Sequence, residues 1–205
     1  MWPALVLAIG CAPRAAAPAG PLSQSPEDLA AEASAAFASG DNNQAADLWL
    51  DACRMGHATS CHDGAWVIDN NGGWAERLSV PWFRRACDGG DGRGCSMLGL
   101  KHQWGRGLPQ APGLALAYFR LGCERGDAHL GCFQYATMQV NAAPENPDAW
   151  AEAMPLFERS CSVGNGQACL AFALAAEGTD PEAAARARAR ACELGVVEGC
   201  ALAAP

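Results

Sequence analysis

Cysteine is the residue type whose number and spacing could support chemistry in this sequence. The chain has 205 residues, of which 11 are cysteines. Ten cysteines form five close pairs; the members of a pair are eight residues apart, except in the third pair, where they are nine apart. The pairs are Cys53 with Cys61, Cys87 with Cys95, Cys123 with Cys132, Cys161 with Cys169, and Cys192 with Cys200.

Three kinds of chemistry could use these thiols: metal binding, redox catalysis and disulfide bonding. Structural zinc sites favour Cys-x2-Cys or Cys-x4-Cys spacing, which these pairs lack. Thioredoxin-like redox sites use Cys-x-x-Cys, which is also missing from the sequence. Disulfides remain, and they persist in oxidising compartments, so the pattern predicts an exported protein with no metal and no cofactor.

Other residue types that carry catalysis give little signal. The histidines His57, His62, His102 and His129 are dispersed, and the sequence contains neither Gly-x-Ser-x-Gly nor Ser-x-x-Lys. His102 is more readily interpreted as a packed structural residue than as a ligand or a base. We therefore expect a binding protein rather than an enzyme.

The N-terminus resembles an export signal. Residues Met1 to Gly10 are apolar throughout, and Ala8 to Cys11 resembles the lipobox of bacterial lipoproteins, in which the cysteine is lipidated. The alternative is an ordinary signal peptide that is removed together with Cys11. Residues 12–25 are rich in Pro and Ala and predict an extended tether, so that the repeat domain covers 26–205. We expect a periplasmic or outer-membrane lipoprotein, or a secreted protein.

Charge limits the kind of partner. The formal net charge is -8, and 18% of the residues are charged. An acidic surface repels nucleic acid and anionic lipid headgroups. We expect a protein or peptide partner, no nucleic acid, and contact with a membrane only through an N-terminal lipid.

The cysteine pairs belong to an internal repeat. The first cysteines of successive pairs are 34, 36, 38 and 31 residues apart, which is the range of helix-turn-helix repeats. A glycine follows each first cysteine by three residues, and small residues directly precede both cysteines of every pair. The glycines are Gly56, Gly90, Gly126, Gly164 and Gly195; the residues four positions before the first cysteines are Trp49, Phe83, Phe119, Phe157 and Arg188.

These positions predict helical hairpins. Apolar residues at helical spacing precede each first cysteine, and the glycine supplies the left-handed C′ position that ends a helix. A second helix then returns antiparallel, which brings the two cysteines within disulfide distance, and the small neighbours allow a close approach. One further helix is expected at about 26–39, before the first hairpin, and a short last helix from about Glu198.

The segment from Gly94 to Gly126, GCSMLGLKHQWGRGLPQAPGLALAYFRLGCERG, resembles a Sel1-like repeat. With its paired cysteines the chain is more narrowly similar to the bacterial cysteine-rich Sel1-like proteins of the Hcp type, over about 44–205. The resemblance implies an all-α, right-handed α-solenoid with a concave groove and a tetratricopeptide-like first unit. It also implies β-lactamase or penicillin-binding activity as an alternative function, for which no residue of this chain can be named as catalytic.

Stacked αα-hairpins create an extended surface, and candidate groove residues are expected on the helix that follows each second cysteine. For each of them, a solvated or core role is an equally good interpretation. The candidates are His62, Trp66, Lys101, Gln103, Gln134 and Gln139.

Overall fold

The computed structural model describes residues 24–70 and 75–203. The predicted signal peptide, the lipidation site Cys11 and nearly all of the tether lie outside these residues, so they stay predictions.

Eleven α-helices follow one another within the described residues, and each packs mainly on its neighbours in sequence. This is the expected all-α solenoid. The first helix, α1, precedes five hairpins that pair α2 with α3, α4 with α5, α6 with α7, α8 with α9, and α10 with α11. The helices are α1 (Pro26–Ala38), α2 (Asn42–Arg54), α3 (Ala58–Asn70), α4 (Ala75–Asp88), α5 (Gly92–Trp104), α6 (Pro112–Glu124), α7 (Phe133–Ala142), α8 (Pro147–Ser162), α9 (Gly166–Ala176), α10 (Pro181–Glu193) and α11 (Val197–Ala203).

The hairpin turns are built on glycine. Gly56 has φ = +102°, and its N–H donates to the Cys53 carbonyl, while the next N–H, of His57, donates to Ala52. These two bonds satisfy carbonyls that the end of α2 leaves free, and the positive φ explains why glycine stands there. The equivalent glycines Gly90, Gly126, Gly164 and Gly195 have φ between +84° and +95°.

The residue after the turn glycine often caps the next helix. The side chain of Asp91 accepts from the N–H of Arg93 at the start of α5, and Asn165 accepts from the N–H of Ala168 at the start of α9. Because the first N–H groups of a helix have no partner inside it, these caps fix where the returning helix begins.

Each hairpin is closed by the disulfide that the spacing predicted. The bonds join Cys53–Cys61, Cys87–Cys95, Cys123–Cys132, Cys161–Cys169 and Cys192–Cys200, with Cα–Cα distances between 4.4 and 4.7 Å. The small residues beside the cysteines allow this approach. A Cβ atom on Gly94 would lie 2.5 Å from the Cβ of Ala86 and 2.8 Å from the backbone nitrogen of Cys87.

The third hairpin contains one additional residue, which forms a π-helical turn at Ala128–Cys132. The N–H of Cys132 donates to the carbonyl five residues earlier, that of Asp127, whereas the N–H of Cys169 donates to Asn165, four residues earlier. Within this turn, the carbonyl of His129 accepts from Ser160 Oγ at 3.0 Å and from Asn165 Nδ2 at 2.7 Å in the next hairpin.

Aromatic side chains four residues before the first cysteine form the core of four hairpins. Trp49, Phe83, Phe119 and Phe157 are buried. In the fifth hairpin this position is Arg188, whose guanidinium forms an ion pair with Glu177 at 2.6 Å. The last hairpin therefore replaces apolar packing with a charge contact to the end of α9.

Candidate functional site: the face formed by the odd-numbered helices

The odd-numbered and the even-numbered helices form two different surfaces of the solenoid, and each surface has its own cavities. One apolar cavity lies between α7 and α9, with Trp150 and Phe157 of α8 among its lining residues. Two others lie between α8 and α10, and Phe172 of α9 lines both. We call the surface of α1, α3, α5, α7 and α9 the odd-helix face, and the opposite surface the even-helix face.

The cavity on the odd-helix face has a volume of about 220 Å³ and contains no charged residue in its lining. Leu174 at its edge is 49% exposed, and the rings of Phe133 and Phe157 stand 6.1 Å apart beneath it. The side-chain amides of Asn141 and Gln167 also line it. An apolar floor bordered by a few polar groups is the usual composition of a binding pocket. We call it the α7–α9 pocket.

A second feature of this face is an aromatic cluster at α1–α3. The rings of Phe37 and Trp66 are 6.1 Å apart at 75°, and Phe37 is also 5.5 Å from Trp49. Trp49 is buried, whereas Phe37 and Trp66 are 39% and 44% exposed. The ring of Phe37 therefore contacts both the buried ring of Trp49 and the accessible ring of Trp66.

Ion pairs fill the space between α3 and α5. Arg93 bonds Asp63 at 3.1 Å and Asp91 at 2.8 Å. Burial on its own lowers the pKa of Arg93, but the hydrogen bonds and charges of Asp91 and Asp63 outweigh it, so this pKa is raised above its ordinary value. About two helical turns further along, Lys101 forms an ion pair with Asp69.

The six candidate binding residues named from the sequence differ in how exposed they are. Trp66 is exposed, as expected, whereas Lys101 is only 2% exposed, so its placement as an exposed groove residue is wrong. Its ammonium group is held by Asp69 and lies 5.7 Å from the centre of the Phe83 ring, inside the contact between repeats. His62 is partly buried and bonds Asp63 at 2.8 Å. Part of the surface of Gln103, Gln134 and Gln139 stays accessible.

The α7–α9 pocket contains none of those six residues. A sequence signal for it did exist. Trp66 lies five residues after the second cysteine of its hairpin, and Thr137 and Leu174 occupy the same register in later hairpins. Following that register along the repeats would have led from Trp66 to both pocket residues.

A larger cavity, about 440 Å³, lies instead at the hairpin turns and includes Arg93, Arg125 and Asp127. These groups already have partners within the fold. Asp127 accepts from the N–H groups of Leu130 and Gly131, and Arg125 donates to the carbonyl of Cys87. We therefore regard this cavity as structural.

His102 has the packed role predicted for it. It is buried, its Nδ1 lies 3.1 Å from the carbonyl of Pro109, and its ring stacks on Tyr118 with centroids 5.6 Å apart. His57 lies 2.7 Å from Ser60 Oγ, but Ser60 is 1% exposed at the start of α3, where a substrate cannot reach it. Among the residues the structure describes, no group of His, Cys, Asp and Glu could hold a metal ion, and no helix is long and apolar enough to cross a membrane.

The comparisons with known proteins rest on structure. No family model matches the sequence, and no curated protein does. The fold is similar to a Sel1 repeat protein from Oxalobacter formigenes, with a TM-score of 0.70 and 17% identity over 85% of this chain and 75% of that one. It is also similar to a protective antigen of uropathogenic Escherichia coli that displays an SLR fold, with a TM-score of 0.67 and 19% identity over 87% of this chain.

The chain spans 40% of the length of the Escherichia coli antigen. The β-lactamase or penicillin-binding alternative stays a prediction that neither likeness tests. Both likenesses agree with the helix order and the repeat built up from the residues. The chain therefore has the fold of Sel1-like repeat proteins, here an α-solenoid of disulfide-stapled αα-hairpins.

Proposed function

We propose that the protein is an exported scaffold that binds a peptide or protein segment along its odd-helix face. The repeat fold supports this function, because stacked αα-hairpins present an extended surface on which one chain can lie. The five disulfides are consistent with an oxidising extracellular environment. They also support placing the chain with the cysteine-rich Sel1-like proteins of the Hcp type.

The α7–α9 pocket is the observation that carries the proposal. An apolar side chain of the partner would enter between Leu170 and Leu174 and lose its contact with water. The amides of Asn141 and Gln167 both donate and accept hydrogen bonds, so they can pair with the N–H and C=O groups of a peptide backbone. The site fits an extended segment with one apolar anchor.

Cys11, if lipidated, would tether this scaffold to a membrane through residues 12–25. At about 3 Å per residue in an extended conformation, such a tether would hold the repeats roughly 40 Å from the lipid. The alternative, cleavage of an ordinary signal peptide, leaves the same scaffold free in solution.

The test is a peptide-display selection on the full, oxidised chain, followed by affinity measurements on the selected peptides. Leu174→Arg places a charge at the edge of the α7–α9 pocket, where it opposes burial of an apolar anchor. We expect binding to weaken at least about tenfold, as the loss of a buried anchor implies.

Leu114→Arg is the matched control. Leu114 is 51% exposed, close to the 49% of Leu174, but it lies on α6 in the even-helix face. Peptides should bind this variant like the wild type, and circular dichroism should give equal helix content for all three proteins. Equal affinity for the wild type and Leu174→Arg would refute the groove.

A further inference from the structure

The aromatic cluster at α1–α3 has accessible rings in an unusually acidic part of the chain. Residues 24–53 contain no Lys or Arg and six carboxylates, all of them exposed. The first cation after them, Arg54, already pairs with Asp51. The six carboxylates belong to Glu27, Asp28, Glu32, Asp41, Asp47 and Asp51.

The carboxylates give this part of the chain a negative electrostatic potential, and the helix C-termini near the aromatic cluster add to it. Phe37 lies in the last turn of α1, and Trp66 lies one turn before the end of α3; neither helix has a basic residue in its last turn. The C-terminus of a helix carries a partial negative charge, which a nearby cation normally offsets. Helix α5, by contrast, has the cation Lys101 in its last turn.

The faces of aromatic rings attract cations, and this protein uses that attraction elsewhere. The guanidinium of Arg54 lies 5.5 Å from the centre of the Trp82 ring, and the ammonium of Lys101 lies 5.7 Å from that of Phe83. In both cases a ring of an even-numbered helix receives a cation from within the fold. Phe37 and Trp66 are accessible on the odd-helix face, where a cation from outside can reach them.

We infer that the aromatic cluster binds a positively charged side chain, an Arg or a Lys, of the partner segment. This inference rests on the proposed function and adds a chemical requirement to it. Such a segment has a basic residue toward the α1 end and an apolar anchor at the α7–α9 pocket. The expected partner chemistry is thus a basic peptide, which suits a protein of net charge -8.

The experiment titrates acetyl-(Arg)4-amide into the full, oxidised chain and follows the tryptophan indole N–H signals by NMR. Acetyl-(citrulline)4-amide, which keeps the shape but lacks the charge, and acetyl-(Glu)4-amide are the comparison probes. The Trp66 signal is assigned from the spectrum of Trp66→Phe. We expect the arginine peptide to shift it, with an affinity that falls as salt is raised.

Variants of Trp66 distinguish binding by the aromatic ring from attraction by the net charge of the protein. Trp66→Ala should weaken the arginine peptide between about two- and thirty-fold, the range of a cation–π contact, and Trp66→Phe should restore part of the loss. Trp104→Ala removes an exposed tryptophan from α5 and should change nothing. Binding that survives Trp66→Ala, or equal binding of the citrulline peptide, would overturn the inference.

The two proposals can fail separately. A selected peptide that loses affinity in Leu174→Arg but not in Trp66→Ala would keep the scaffold function and reject the cation site. A peptide that is insensitive to both variants would reject both.

Discussion

At the scale of single residues, Lys101 serves the contact between two repeats. Its ammonium group, buried in α5, meets Asp69 of α3, and Ser79 Oγ of α4 donates to the same carboxylate at 2.7 Å. Three helices therefore converge on one ion pair. A buried charge is tolerated only when it is paired and hydrogen-bonded, as Lys101 is here.

Removing one partner of this pair should be costly. Lys101→Met leaves Asp69 without its cation, so we expect the free energy of unfolding to fall by about 3 kcal/mol. The double variant Lys101→Met, Asp69→Leu should recover most of that loss, because no charge stays unpaired. Denaturant titration of the oxidised proteins measures both.

The control for this prediction is Arg120→Met. Arg120 pairs with Glu124 at 3.7 Å, and both side chains are 60% exposed. Exposed pairs contribute less than about 1 kcal/mol, so the change should be small. A Lys101→Met protein as stable as Arg120→Met would show that the ion pair contributes nothing.

Glycine beside the second cysteine is the other residue-scale feature. Gly94→Ala would press a methyl group against Ala86 and the backbone of Cys87, so we expect a loss of about 1–3 kcal/mol. Gly113→Ala, where a Cβ meets no atom within 4 Å, should be neutral or stabilising by up to about 1 kcal/mol. Thermal unfolding compares the two, and equal melting temperatures would contradict the steric argument.

Roles that depend on residues close in sequence could be predicted, whereas roles that depend on contacts between residues far apart in the sequence could not. A turn glycine and a pair of cysteines eight residues apart constrain one another within a single hairpin, so their roles follow from spacing. Lys101 meets Asp69, 32 residues away, and nothing in its own neighbourhood distinguishes a buried lysine from a solvated one. This is why it was expected on the surface.

At the scale of elements, the π-helical turn links two hairpins. The additional residue between Cys123 and Cys132 is visible in the sequence, but its conformation is fixed by partners in α8 and at the start of α9. Ser160 and Asn165 supply the two donors that satisfy the carbonyl of His129. The spacing alone predicts a longer turn and leaves its form open.

Deletion of Leu130 would restore the eight-residue spacing of the other hairpins. We expect the Cys123–Cys132 disulfide to form still, but the carbonyl of His129 should return to ordinary helical bonding and leave Ser160 unpaired. Ser160→Ala should cost about 1 kcal/mol in the wild-type background, the net value of one hydrogen bond, and close to zero in the deletion background.

Chemical denaturation of the four proteins in this cycle gives the coupling, and mass mapping verifies the disulfide. Ser162→Ala is the control, because its hydroxyl donates within its own helix to Arg159 on an exposed surface. An equal Ser160→Ala penalty in both backgrounds would contradict the link between hairpins.

At the scale of the whole molecule, the α7–α9 pocket shows the limit of sequence reasoning. The solenoid, its helices and its disulfides follow from a local repeat. The pocket gathers residues from three helices between Phe133 and Leu174, and it depends on how successive hairpins pack. Only the shared register of Trp66, Thr137 and Leu174 connects the repeat to that surface.

The disulfides should supply much of the stability of this molecule. Each closes a loop of nine or ten residues, which the chain-entropy model values at about 2.5 kcal/mol. Full reduction of the five should therefore remove roughly 12 kcal/mol, comparable with the net stability of a typical domain. Denaturation with and without reductant measures this, and an unchanged midpoint would contradict it.

A last consequence concerns mechanics. Each of the five disulfides within the described residues joins two cysteines of the same hairpin. Neighbouring hairpins are therefore held together by side-chain packing, hydrogen bonds such as those to the His129 carbonyl, and ion pairs such as Lys101–Asp69. Under a pulling force, as between an anchored end and a bound partner, the covalently closed turns would resist stretching while the interfaces between them parted. The molecule should lengthen by separation of hairpins whose disulfide-closed turns stay intact, and the hairpins should pack together again when the force is removed.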